Sequence, residues 1–219
     1  MKFFQIKKDI IMPLIVINII FFLLQQYIEG FTSLFVLVSA DILIRPWTLL
    51  TSMFLHAGST HLLFNMYALY MFGPLIQQRI GPNRFLAAYF GGGIIAGIAF
   101  TIFNPASSAL GASGAIMTIL GLVIMLMPHM KVLFFFVIPM SMRTAGIIFA
   151  VIDLVGFVST LNTGIAHIAH LAGLAVGIFY GFQLLKKRKN FANKMKNRPK
   201  LDLSMNQEDI NDYFKNGRI

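Results

Sequence analysis

Six long apolar runs, at residues 10–28, 61–77, 84–103, 113–127, 143–159 and 165–185, constrain this chain more than any other feature. The hydrocarbon of a bilayer is about 30 Å thick and offers no water to satisfy backbone polar groups, so such runs read as membrane-spanning helices. Composition agrees: 57% of the 219 residues are hydrophobic and 12% are charged, too apolar for one soluble core. The expected fold is therefore an all-α membrane protein, a six-helix transmembrane domain over residues 1–185 with a basic cytoplasmic tail over residues 186–219. The first run has a Lys-rich front like a signal peptide, but no small-x-small cleavage site follows it, so it is kept as structure.

Basic residues set the expected orientation. With the N-terminus inside, the inner segments hold seventeen Lys and Arg and the outer ones hold Arg45 alone, a strong positive-inside bias that puts the C-terminus inside too. The net charge of +10 is concentrated in the tail, where ten Lys and Arg face four Asp and Glu. A basic segment beside a membrane span reports orientation and attraction to anionic lipid, so the expected partner is the bilayer and not nucleic acid. Two further apolar stretches do not fit a span. Residues 31–44, followed by Arg45, Pro46 and Trp47, are expected as a hairpin in the outer interface, and residues 132–138 as a short segment on the inner face.

Polar groups inside lipid-embedded helices are costly and point first to function, which singles out His61, Asn65, Ser113, Asp153, His167 and His170. By the topology all of these but Asp153 belong clearly to the outer third of the bilayer. Ser113 lies in Gly111-Ala112-Ser113-Gly114, where small neighbours clear space and a helix N-terminus favours a developing oxyanion; a helix-capping Ser reads equally well from this motif alone. His61 and Asn65 are four residues apart on one face, with His56 just ahead of them in the loop, and a structural role is open to all three. His170, Gly173 and Gly177 stand at i, i+3 and i+7, so this imidazole rides on a stripe of small residues that lets another helix approach closely. Gly114 and Gly121 supply a matching strip on the fourth run, which pairs the fourth and sixth helices and brings Ser113 near His170.

H-x4-H-x3-N opening the second run, G-x-S-G opening the fourth and H-x2-G-x3-G in the sixth together resemble the rhomboid intramembrane serine proteases, over residues 47–185. The resemblance implies a Ser113 nucleophile, a His170 general base, side-chain oxyanion donors His61 and Asn65, and a supporting His56, with Gly111, Gly114, Gly173 and Gly177 shaping the site. It selects His170 over His167, because only His170 is followed by the glycine pattern. It also implies a serine endopeptidase of a multi-pass membrane protein, expected in the bacterial cytoplasmic membrane, cutting single-span membrane proteins near the outer face. Two departures stand out: the first outer loop reads Arg45-Pro46-Trp47-Thr48 where the family often has Trp-Arg, and Gln77 occupies a place where the family commonly carries Glu. The inner-end helix contact is thus expected to lack an ion pair.

Other classes are weaker. A non-proteolytic client-binding member of the same fold would lack the nucleophile or the base, and both are present. A metal centre built from His56, His61, His167 and His170 lacks H-E-x-x-H and an adjacent carboxylate base, so no metal or cofactor is expected. Cysteine is absent, which removes thiolate chemistry. A transporter would need ionisable groups along a whole path, whereas these cluster at one side. Asp153 lies at the same depth as His170, each roughly 9 Å from the outer helix ends at 1.5 Å per residue. Contact with His167 or His170 is open, and a structural role is the expectation.

Overall fold

The structure is a computed structural model; it describes residues 9–134, 137–159 and 164–196, with Asn211 and Lys215. It is mostly helical. Helix α1 (Ile11–Tyr27) leads through Gly30, at φ +76°, into the short α2 (Phe31–Phe35), and a two-residue strand β1 (Leu37–Val38) follows. The one-turn α3 (Thr48–Thr51) precedes α4 (Ser59–Ile80) and α5 (Pro82–Phe103). Gly81, at φ +84°, separates these two, and Pro82 starts α5 where the missing N–H would be unpaired anyway. Strand β2 (Ser108–Ala109) leads to α6 (Ser113–Leu126), a hairpin of β3 (Lys131–Phe134) and β4 (Ile138–Ser141), then α7 (Met142–Val158) and α8 (His167–Lys196). Two of these helices, α5 and α8, are long and apolar enough to cross a membrane by length and composition; α1 and α6 are shorter apolar helices.

Helix α6 is the centre of the bundle. Its residues from Gly114 to Val123 are buried almost without interruption, as expected for a helix that is apolar all round, and α4, α5, α7 and α8 all pack on it. Its closest partner is α8, across the two glycine strips anticipated from the sequence. A Cβ on Gly121 would stand 2.6 Å from Leu174 O, and one on Gly177 would stand 2.9 Å from Gly121 Cα, so only glycine lets the two backbones meet. The Thr118 hydroxyl bridges this seam, donating to Gly173 O at 3.0 Å with Gly114 O at 3.2 Å.

One sequence expectation is corrected. Residues 31–44 do not fold back on themselves: after α2, β1 pairs with β2 in the connection ahead of α6, Leu37 opposite Ala109 and Val38 opposite Ser108. Arg45 closes that loop by donating from Nη2 to Ser33 O at 2.6 Å and to Leu34 O. Residues 132–134 lie in β3 and Ile138 opens β4; the two strands pair antiparallel, Lys131 opposite Ser141, which satisfies backbone groups that a lone apolar segment would leave unpaired. Helix α8 runs on past residue 185 to Lys196; Lys and Arg are good helix formers and extend the helix.

At the opposite end of α4, Gln77 Oε1 accepts from Ile10 N at 3.2 Å. A neutral amide thus caps the start of α1.

Candidate active site

Ser113 is the first residue of α6, and the residue that caps this helix by position, Ala112, makes no side-chain bond. The Ser113 hydroxyl is free for other work, and its Oγ lies 2.7 Å from His170 Nε2. Gly111, at φ +123°, makes the turn into α6 and donates its N–H to Ser52 O at 2.9 Å. A Cβ there would approach His61 Cε1 to 2.7 Å, so the imidazole of His61 lies directly over this glycine, beside the helix start. Gly114 faces Ala96 of α5, and Gly173 faces Gly114, so small residues on three helices hold Ser113 and His170 in place.

His170 sits in the first turn of α8, half-buried, and its other nitrogen, Nδ1, is 3.1 Å from Asp153 Oδ1 on α7. The same carboxylate oxygen is 2.7 Å from His167 Nδ1. Asp153 and His170 were expected at one depth, and the structure joins both of them with His167. His167 is buried, its ring occupying the space opposite Gly156, where a Cβ would collide with it.

On the far side of Ser113, His61 Nδ1 accepts from Ala57 N at 3.3 Å, which leaves Nε2 to carry the proton in the neutral ring. Asn65 Nδ2 donates to His61 O at 2.8 Å with one of its two hydrogens. His56 does not line the site; it is buried behind it, its ring edge-on to His61 with centroids 5.1 Å apart. Burial, and then the neighbouring His61, hold the His56 imidazole down at about 4, so it is neutral at pH 7. Its backbone is clamped from α1, where Gln25 Oε1 accepts from His56 N at 2.9 Å and Gln25 Nε2 reaches Thr32 Oγ1 at 3.1 Å.

Ser113, His170, His167, His61 and Asn65 all border one cleft of about 1040 Å³, which extends between α4 and α7 toward Met142 and Val132. A second chamber, of about 40 Å³, lies behind Ser113 among Gly93, Ala96, Gly97 and Ala115. Among the described residues no group of acidic, His or Cys side chains is arranged to hold a metal ion. The arrangement pairs a hydroxyl with an imidazole and sets both at a helix N-terminus, the parts needed for nucleophilic acyl transfer.

Residues 44–187 match the family model described as the Rhomboid domain. The chain belongs to the rhomboid family. The rhomboid protein YdcA of Bacillus subtilis is 32% identical over 143 residues, covering 65% of this chain and 69% of YdcA. Rhomboid protease GluP of the same organism is 37% identical over 135 residues, 61% of this chain and 25% of GluP. The mitochondrial Rhomboid protein 1 of Saccharomyces cerevisiae is 30% identical over 190 residues, 82% of this chain and 54% of that protein. The chain thus spans two thirds of one of these rhomboids and about half or less of the other two. Rhomboids are integral membrane proteins and in general intramembrane serine proteases, although some members are inactive.

Three residues that shape this rhomboid site escaped the sequence reading. Gln25, Thr118 and Gly156 act through backbone contacts or empty space, across 31 residues in the case of Gln25 and His56. The polar amides within the first apolar run, Gln25, Gln26 and the fully buried Asn18, were the available signal.

Proposed function

We propose that this rhomboid is an intramembrane serine endopeptidase that cuts single-span membrane proteins near the outer face of the bilayer. The single observation that carries the reading is the 2.7 Å approach of Ser113 Oγ to His170 Nε2 at the start of a buried helix. Six spans, with both termini inside, are supported by the basic-residue bias and by the long helices α1 and α4–α8. Helix α6 has 14 residues and rises about 21 Å, short of the roughly 30 Å of hydrocarbon, so its start lies below the membrane surface. Surrounding helices, not lipid, cover it, and water reaches Ser113 through the cleft.

In the reaction, Ser113 Oγ attacks the scissile carbonyl as its proton passes to His170 Nε2, and the carbonyl electrons move onto oxygen. His61, Asn65 and the backbone N–H of Ser113 receive that oxyanion. His170 then gives its proton to the leaving amine, and a water attacks the acyl-enzyme by the same route. Substrate enters sideways through the cleft between α4 and α7. A helical segment hides its carbonyls, so segments weakened by Gly or Pro near the outer end are the preferred substrates. The expected location is the cytoplasmic membrane of a bacterium, in keeping with the two Bacillus relatives.

The test is direct: purified protein, reconstituted in liposomes, is incubated with a model single-span substrate beside Ser113→Ala. Cleavage by the wild type alone supports the reading. Equal cleavage by both, or by neither, removes it and leaves the client-binding alternative.

A further inference from the structure

Asp153 is the one acidic residue within α1 or α4–α8. Most large side chains of its helix, such as Ile147, Val151, Val155 and Val158, are more than half exposed, a face suited to lipid, whereas Asp153 is buried. A carboxylate kept in such a helix is costly unless paired, and here it is paired twice through one oxygen. The proton balance of His170 then follows. For Nε2 to accept the Ser113 proton it must present a lone pair, so in the neutral ring the only N–H is on Nδ1. That N–H needs an acceptor, and Asp153 Oδ1 is at 3.1 Å.

We infer that Asp153 is a positioning residue that holds His170 in the Nδ1–H tautomer and that His167, donating to the same oxygen, holds the carboxylate in place. This rests on the serine-protease reading above. When Ser113 Oγ bonds to the substrate carbon, its proton arrives at His170 Nε2 and the ring becomes an imidazolium. Asp153 stays ionised and pairs with that cation, and the proton leaves again with the amine as the C–N bond breaks. His167 takes no proton in this cycle. Gly156, three residues beyond Asp153 on α7, provides the room its ring needs. The titratable groups that face the pair are His167 from α8 and, across the site, His61 from α4.

The experiment compares wild type, Ser113→Ala, Asp153→Asn and His167→Gln in liposomes with a single-span substrate, measuring kcat and KM across pH. In Asp153→Asn the amide can donate to Nδ1 and leave the proton on Nε2, the wrong tautomer, so kcat falls about a hundredfold or more with KM little changed. The acid limb of kcat/KM also moves to lower pH, because the imidazolium has lost its counter-charge. His167→Gln keeps a donor to the carboxylate and stays within about tenfold of wild type. A folded Asp153→Asn that retains its kcat within about threefold, with the acid limb unmoved, overturns the inference and leaves the protease reading standing. A wild type no faster than Ser113→Ala overturns that reading and this one with it. Should Asp153→Asn fail to fold, ring-nitrogen NMR of the wild type decides: a proton on His170 Nδ1 is expected, and a neutral His170 protonated on Nε2 overturns the inference.

Discussion

The α6–α8 seam and helix α7 approach His170 from opposite sides and are built on opposite principles. In the seam, glycines bring backbone against backbone, and Thr118 ties the two helices with a hydrogen bond, so Ser113 and the ring of His170 are fixed by main-chain packing. Helix α7 buries Met142, Ala145, Gly146 and Asp153 and turns a row of aliphatic side chains outward. Near the site it is held by one carboxylate, the glycine beneath His167, and an edge-on contact of Phe157 with Phe103 at 5.8 Å. The contrast teaches that the Ser113–His170 pair sits in the tightly packed part, while the α7 wall, the proposed entry for substrate, is fastened near the site by fewer contacts.

The largest effect is expected from filling the seam. Gly177→Leu or Gly173→Leu forces backbones apart, a change costing about 3 kcal/mol or more, and should leave little folded protein by thermal shift or protease protection. Next comes the split between the two histidines: His170→Ala should lower cleavage by about 10⁴-fold or more, whereas His167→Ala, which leaves the dyad intact, should keep much of the rate. Equal loss at both would erase the distinction between seam and wall. Thr118→Val removes the bridging hydroxyl and should cost roughly 0.6 to 1.7 kcal/mol, read as a lower unfolding midpoint with the dyad still competent. On the α7 side, only Phe157 of the two outer residues Phe157 and Val158 borders the cleft. Replacing both by Ala should therefore speed cleavage of a membrane substrate by about two- to fivefold, chiefly through Phe157; an unchanged or slower rate in folded protein puts the entry elsewhere. The smallest effect is that of chelators: EDTA or phenanthroline should leave turnover unaltered.

The α6–α8 pairing was legible because its signals are periodic. His170, Gly173 and Gly177 share a face by spacing alone, and Gly114 with Gly121 matched them, so the α6–α8 partnership and the Ser113–His170 approach could be read from the sequence. Counting residues from the helix ends placed Asp153 level with His170, but counting gives depth and not rotation, so the choice between His167 and His170 stayed open until the structure placed one oxygen against both. The β1–β2 pairing joins segments far apart in sequence through backbone atoms, which leave no side-chain pattern to find, and the Gln25 amide, though visible in an apolar run, acts on the His56 backbone, which gives no sign of its partner. Arg45 was visible as the only outer basic residue, and its anchoring of the loop at Ser33 and Leu34 was not, because its acceptors are carbonyls that every residue has.

Activation of Ser113 by His170 is the central claim, and covalent labelling tests it most directly. A fluorophosphonate reacts with an activated serine without requiring a substrate to unwind or pass the α7 wall, so mass spectrometry of the labelled, digested protein isolates the dyad from the entry route. The account predicts a single adduct on the peptide carrying Ser113, formed by wild type and by Phe157→Ala alike and lost in His170→Ala. Labelling of another serine, or labelling of Ser113 at an undiminished rate in His170→Ala, would contradict it.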